Sequence, residues 1–455
     1  MSTIHLIGIG GAGLSAIATV LLQQGHRVSG SDAQASAATA RLSAMGATIH
    51  IGQRADNLAG EVDVVVVSSA IAPDNPELQA ARQRGLTVVK RDRWLGQMMA
   101  GYRGIAIAGT HGKTTTTAMT AFVLQEAGLQ PTYIVGGFIP QLGAGAAAGQ
   151  GDVFVIEADE YDHMFLGLRP EVAVITIVEW DHPDIFPSPQ VLQQAFVDFV
   201  QKVPAHGLVI GCGDAPGVPA VLARAGATTV TYGLQPANDW QAIDLKPNRR
   251  GGYDFKVRSP EAGQAAVPVS LRVPGQHNVC NGLAALMAAQ HDGLELDRAA
   301  ELLGRFEGVE RRFQRKGEAN GIIVIDDYAH HPTEIKVTLA AARTRFGQTP
   351  LWVAFQPHTF SRVISLFDDF VSAFADADHV IVVDIFKSRE KDEGLVSSRD
   401  LVERMAHPDV RYIGSLTEAA AYLASHLTPP AVLLTLGAGD GYQIGEWVLD
   451  QMRSI

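Results

Sequence analysis

Short apolar runs, each closed by glycine or acidic residues and followed by a longer amphipathic stretch, recur along the whole chain. IHLIGIGGAG reads as a strand and a glycine turn, GLSAIATVLLQQG as a helix ending at Gly25, and HRVSGSD as a second strand ending at Asp32. VDVVVVSSAI (Val62–Ile71) and LTVVKR predict two further strands, so the first block, to about Tyr102, is a Rossmann-like βαβ array. IAIAGTHGKTTTT (Ile105–Thr117) predicts a buried strand, a glycine turn and the start of a helix. VFVIEADEYD (Val153–Asp162) and VAVITIVEWDHPD (Val172–Asp184) read as adjacent buried strands whose C-terminal ends carry acids and one histidine. Pro236–Val273 reads as a small antiparallel excursion, and PGQHNVCNGLAALMAA as the entry to an apolar helix. From about Phe306, IIVIDDYAHHP, PLWVAFQPHTFSR, HVIVVDIF and AVLLTLGAGDG repeat the strand-then-polar plan, alternating with helices such as VTLAAARTRF and DLVERMA.

Strand–helix alternation of this kind predicts an α/β fold built on parallel sheets. The expected division is into three domains: a Rossmann-like domain over 1–102, a central P-loop domain over 103–305, and a second Rossmann-like domain over 306–455. The length of 455 residues agrees, since one core is outgrown well before that size.

Charge and cysteine usage narrow the function classes. The formal net charge is −12, with no basic block, which argues against nucleic-acid partners and requires a local positive site for any anionic substrate. Two cysteines, Cys212 and Cys280, exclude a disulfide framework and fit a reducing cytoplasm. The apolar N-terminus lacks Lys or Arg before Arg27 and is interrupted by glycines, unlike a secretory signal, and no apolar run reaches the ~18 residues of a membrane span.

The candidate chemistry centres on GTHGKTTTT. Gly109 and Gly112 let backbone N–H groups surround phosphate oxygens, Lys113 can reach a terminal phosphate, and the Thr114 hydroxyl can sit on a magnesium ion. The spacing is shorter than a full Walker A loop, which would place glycine where Ile107 stands. GxGxxG at Gly8, Gly10 and Gly13, with Asp32 downstream, matches a dinucleotide fingerprint in outline, but that turn holds any diphosphate. Glu157 suits a divalent ion together with Thr114; His182 either marks a second ion, magnesium or manganese, or caps a loop beside Asp181 and Asp184. His330 and His331, after Asp326 and Asp327, either orient a substrate or belong to a surface loop. Arg311 and Arg312 are either neutralisers of a transferring phosphoryl group or a solvated pair, and Arg362 is a candidate clamp for an anion.

GIGGAGLSAIA, VSGSD, SSAI, GTHGKTTTT, EADEYD, EWDHPD, PGQHNVCN, GVERRFQ, DDYAHHPTEI and FQPHTFSR follow in this order over nearly the whole chain. The set closely resembles the Mur ligases of peptidoglycan synthesis. That resemblance implies ATP-dependent joining of L-alanine to the lactyl carboxylate of UDP-N-acetylmuramate through an acyl phosphate. The first domain would hold the UDP, the central domain ATP, and the third would close over both. It implies that Gly109, Thr110, His111, Gly112, Lys113, Thr114 and Thr115 bind the ATP phosphates. Thr114 and Glu157 would hold one magnesium ion and His182 a second, with manganese as the other ion that fits. His277, Asn278 and Asn281 would lie at the adenine side, Arg312 near the phosphates and Asp327 near the ribose. Gly10, Gly11, Ala12 and Gly13 would cradle the UDP diphosphate, with Asp32, Ser68 and Ser69 in the same site; Tyr328, His330 and Arg362 would face the muramyl group. Lys113, His182, Arg312, His330 and Arg362 are the implied catalytic set. No membrane insertion is implied, and the chain would act as a monomer or homodimer.

Two positions depart from the family pattern. Thr176-Ile177-Val178-Glu179 stands where many members have TNxE, and Thr359 where many have a basic residue. The alternative within the family is the ligase that recycles a tripeptide onto the same UDP-sugar, which shares GTHGKTTT and the AHHP motif. Folylpolyglutamate synthase lacks the first domain, a NAD-dependent oxidoreductase leaves the P-loop unexplained, and a nucleotide switch needs no acid and histidine sites in three domains.

Overall fold

The computed structural model describes residues 2–260 and 265–453. By contacts the chain divides into two compact units, Met1–Val178 with Gln193–Gln241 and Leu283–Leu302, and Glu179–Leu192 with Ala242–Gly282 and Leu303–Ile455.

The first unit opens with β1 (Thr3–Ile7), α1 (Ala12–Gln23), β2 (Arg27–Asp32), α2 (Ala37–Ala44), β3 (Thr48–Ile51), β4 (Val64–Val67), α3 (Pro76–Gln83), β5 (Thr87–Lys90) and α4 (Arg91–Met98). The strands form a parallel sheet in the order β3-β2-β1-β4-β5. β1 is buried almost throughout, as the central strand of a parallel sheet covered on both faces must be.

The chain continues through β6 (Arg103–Ala108), α5 (Lys113–Glu126), β7 (Thr132–Ile139), β8 (Ala144–Ala147), β9 (Val153–Glu157), β10 (Val172–Ile175), α6 (Pro189–Val200), β11 (Leu208–Cys212), α7 (Val218–Leu222) and β12 (Thr228–Gly233). Here the order is β12-β11-β10-β6-β9-β7-β8, parallel except for the β7–β8 pair. β6 therefore separates β9 from β10, which corrects the expectation that these two strands are neighbours. The phosphate-loop strand takes the central place because its run from Gly104 to Ala108 carries no polar side chain and can be buried on both faces. The apolar runs also overestimate strand length. β4 stops at Val67, β9 at Glu157 and β10 at Ile175, and the polar residues beyond them form loops.

β13 (Trp240–Pro247) pairs through Trp240 and Gln241 with the end of β12. In the second unit β14 (Tyr253–Arg258) and β15 (Val267–Ser270) form the antiparallel pair expected in Pro236–Val273; residues 261–264 of that stretch lie outside the described residues. After α8 (Gln276–His291) and α9 (Leu296–Leu303) come β16 (Gln314–Ala319), β17 (Ile322–Asp327), α10 (Pro332–Phe346), β18 (Leu351–Phe355), α11 (Phe360–Ser365), α12 (Phe367–Val371), β19 (His379–Val382), α13 (Ser398–Arg404), β20 (Val410–Tyr412), α14 (Leu416–His426), β21 (Ala431–Leu436) and α15 (Tyr442–Arg453). The sheet runs β16-β17-β21-β18-β19-β20, with only β16 antiparallel. Its side chains alternate between two cores. Leu351, Val353 and Phe355 enter one with Val432 and Leu434, while Trp352 and Ala354 enter the other with Ala431 and Leu433. Among the described residues no helix is long and apolar enough to cross a membrane.

Candidate active site

The phosphate loop sits where β6 ends. Gly109 has φ +136°, and a Cβ there would strike Thr176 Oγ1, so only glycine fits between the loop and the segment after β10. The Thr110 N–H donates to the Ile177 carbonyl at 2.9 Å, and the Thr176 hydroxyl donates to the His111 carbonyl at 2.5 Å. These bonds tie the loop to the segment that follows β10. Gly112, left-handed at φ +81°, caps α5 and has no side chain to accept from the first N–H groups of the helix, an end that favours anions. Thr115 follows in the first turn, half-buried.

Lys113 Nζ donates to the Gly109 carbonyl at 2.6 Å and lies 2.8 and 3.0 Å from the two oxygens of Glu160, which is fully buried. Burial by itself would lower the Lys113 pKa; the carboxylates of Glu160, Asp159 and Glu157 outweigh it and leave it raised. The lysine is therefore held in its charged form. Glu160 was not among the sequence candidates, although as the second glutamate of EADEYD it could have been singled out beside Glu157.

Thr114 Oγ1 donates to Glu157 Oε1 at 3.0 Å, and the Gly136 N–H donates to Glu157 Oε2 at 2.7 Å. Two oxygens about 3 Å apart are what adjacent corners of an octahedral magnesium ion require, given ion–oxygen distances of about 2.1 Å. Thr114 and Glu157 thus fit the expected divalent ion. His182 falls in the second unit, beyond the end of β10, with positive φ. It is not the neighbouring-strand partner of Glu157 that was expected.

A cleft of about 740 Å³ lies in the first unit, lined among others by Gly10, Ala12, Gly13, Arg91, Glu157 and Asp159. The glycine turn that forms one wall is held from below. Gly8 and Ile9 donate to the Ser31 carbonyl, Gly11 donates to the Gly8 carbonyl, and the Gly10 N–H donates to Asp32 Oδ2 at 2.9 Å. Asp32 therefore braces the turn itself. Ser68 and Ser69 form the turn after β4 and do not line this cleft.

The second unit gathers another polar cluster. Arg362, on α11, is buried; its Nε donates to Asp181 Oδ1 at 2.8 Å, and its Nη atoms lie 3.1 Å from His358 Nδ1 and 3.4 Å from His182 Nδ1. Burial would raise the Asp181 pKa, but the Arg362 guanidinium, with His182 and His330, holds it well below the ordinary carboxylate range. Arg362 is thus committed to Asp181, not the open clamp the sequence suggested. His330 Nδ1 faces the Tyr328 carbonyl at 3.0 Å and Glu334 at 3.3 Å, and its ring meets those of Tyr328 and His358 edge-on. Burial pushes His330 down to about 3 and His358 down to about 4, so both imidazoles are neutral at physiological pH. His331, the other half of the pair, is buried and caps α10, accepting from the Thr333 N–H.

Arg311 pairs with Asp326 at 3.1 Å, donates to the Gly437 carbonyl, and lies 5.0 and 4.8 Å from the ring centres of Tyr328 and Tyr442. Arg312 lies over Tyr328 and 4.0 Å from Glu334. Asp327 accepts from the N–H groups of Phe313 and Ala329, and burial raises its pKa to about 7. At the start of α8, Asn281 donates to Asn278, which donates to the Pro274 carbonyl, and the His277 ring lies over Gly275. Burial takes His277 down to about 4. The sequence reading did not single out Asp159, Glu160, Asp181 or Arg91, whose partners are distant in the chain, nor Glu334 and His358, which meet His330 and Arg362 only four residues away.

Three family models match the chain in succession: "Mur ligase family, catalytic domain" over residues 3–103, "Mur ligase middle domain" over 107–289, and "Mur ligase, glutamate ligase domain" over 311–439. A relative from Geobacter sp. strain M21, named UDP-N-acetylmuramate–L-alanine ligase, is 43% identical over 454 residues, covering 99% of this chain and 98% of its own. The crystal structure of the UDP-N-acetylmuramate–alanine ligase of Thermotoga maritima superposes with a TM-score of 0.81 at 28% identity, covering 100% of both chains. A murein peptide ligase from Psychrobacter arcticus gives a TM-score of 0.74 at 26% identity, over 100% of this chain and 99% of its own.

Proposed function

This chain belongs to the Mur ligase family, and from that premise we propose that it joins L-alanine to the lactyl carboxylate of UDP-N-acetylmuramate with cleavage of ATP. The observation that carries the reading is the double position of Glu157. It lines the cleft that begins at the Gly10–Gly13 turn, and it also accepts the hydroxyl of Thr114 on the phosphate loop. A sugar nucleotide with its diphosphate on the turn therefore extends toward the phosphoryl donor. The full-length relative supports L-alanine as the amine, and the alanine ligase superposes more closely than the murein peptide ligase.

In this reading the γ-phosphoryl group of ATP passes to the lactyl carboxylate, and the amine of L-alanine displaces phosphate from the acyl phosphate to form the amide. Two anions must approach each other in the first step, and Lys113, already charged and tethered by Glu160, offsets their repulsion. Thr114 and Glu157 would hold a magnesium ion, which supplies further charge neutralisation at the phosphates. The loop N–H groups from Gly109 to Lys113 fix the phosphate chain, so positioning accounts for much of the rate. Arg312 and Tyr328 are assigned to the nucleotide and substrate in the second unit, with neutral His330 as a hydrogen-bonding partner and Arg362 as a buried anchor through Asp181. With cytosolic sugar nucleotide and ATP as substrates, the cytoplasm is the proposed compartment.

Phosphate release from ATP with UDP-N-acetylmuramate, measured separately with L-alanine, glycine, L-serine and the tripeptide, tests the assignment. Release with L-alanine is expected, and release with the tripeptide alone would overturn it. Lys113→Ala is expected to abolish ligation in a folded protein; retained turnover would remove the phosphate loop from the mechanism.

A further inference from the structure

The cleft of the first unit has to hold a diphosphate, yet two of the ionic side chains on its wall, Glu157 and Asp159, are acids. The glycine turn and the start of α1 contribute only partial charge, about half a unit, and the chain as a whole is at −12. The cations on the wall are Arg41 and Arg91. Arg41 is exposed, whereas Arg91 is half-buried.

Arg91 is the first residue of α4, directly after β5, and Leu95 one turn later lines the same cleft. Its guanidinium lies against the second helical residue of α1: a Cβ on Gly13 would clash with Arg91 Nη1. Arg91 Nη2 is 3.9 Å from Asp159 Oδ2, longer than a hydrogen bond, and that carboxylate is itself nearly half exposed. The guanidinium is thus held between Asp159 and Gly13, beside the glycine turn on which an anion would sit. Arginine also suits the task because its planar fork grips phosphate oxygens in pairs.

We propose that Arg91 binds the diphosphate of the UDP-sugar, and that Gly13 is glycine to admit this guanidinium as well as to form the turn. The inference rests on the function proposed above. It adds the cation that the glycine turn lacks.

Steady-state kinetics and calorimetry with UDP as the probe test it. Arg91→Ala is expected to raise KM for UDP-N-acetylmuramate and the Kd of UDP by roughly ten- to a hundredfold, the loss of a charge-assisted contact. KM for ATP and the melting temperature should stay close to wild type, and Arg91→Lys should recover part of the affinity. Gly13→Ala, which displaces the guanidinium, should reproduce most of the Arg91→Ala effect, and the double variant should be no worse than either alone. An Arg91→Ala protein that binds UDP with unchanged Kd, or equal losses for UDP and ATP, would overturn the proposal. A wild-type protein that binds UDP but forms no amide would instead reject the function reading and leave Arg91 standing. A wild type that binds no UDP would reject both.

Discussion

Arg362 and Asp181 show how burial changes the meaning of a charged residue. Each is almost fully enclosed, and each is the other's counter-ion. Removing one leaves an uncompensated charge in a poorly solvated place, which costs about 3–5 kcal/mol. Arg362→Ala is therefore expected to lower unfolding free energy by about that amount, with Asp181→Asn in the same chain recovering most of it; an unchanged denaturation midpoint for the single variant would show the pair to be dispensable. Asp327 behaves in the opposite sense. Burial raises its pKa from 3.8 to about 7, so its contribution to stability is full below the ordinary value and is lost as pH rises through about 7. Melting temperature should accordingly fall between pH 5 and pH 8 by more in the wild type than in Asp327→Asn, and parallel profiles would contradict this.

At the scale of elements, the order of strands decides which polar residues meet. β6 lies between β9 and β10, so the loop after β6 receives Glu157 and Glu160 from one neighbour and Thr176 and Ile177 from the other. This is the usual place for a ligand in an open α/β sheet, beyond the carboxyl ends of the strands. Gly109 is the tightest point of that junction. Gly109→Ala combines a left-handed φ with a clash against Thr176, and loss of ATP use is expected with a stability cost of about 1–3 kcal/mol; a variant with wild-type KM for ATP would show the junction to be more yielding than its geometry indicates. The apolar runs disclosed these elements but not their ends. Val62–Ile71, for example, yields only the strand Val64–Val67, because Ser68 turns the chain by accepting from the Ile71 N–H.

At the scale of the molecule, UDP and ATP are expected to read out two different sites, the cleft at the glycine turn and the loop before α5, both in the first unit. UDP and ATP should each raise the melting temperature, by about 2.7 kcal/mol of stabilisation at a hundredfold excess over Kd. Glu157→Ala should abolish the dependence of the ATP effect on magnesium while the UDP effect persists. If magnesium still enhanced ATP stabilisation in that variant, Glu157 would not be a ligand of the ion. The net charge of −12 sets the background for both ligands, since every anion that binds must find a local cation. Lys113 and Arg91 are the cations proposed for that role in the first unit.

The sequence alone determined the α/β class, the strand–turn–helix of Ile105–Thr117, the first glycine turn and the family, because these depend on local order: apolar period, glycine at a turn, a lysine opening a helix. What it left undetermined were the partners of charged side chains. Asp32 was legible as the acid after the fingerprint, but not as the brace on Gly10; His331 was legible beside His330, but not as the cap of α10. Glu160 on Lys113, Asp181 on Arg362 and Arg91 against Gly13 join residues dozens to more than a hundred positions apart. Only the tertiary structure decides such pairs, since a buried charge is defined by what encloses it, and enclosure is a property of the packed chain.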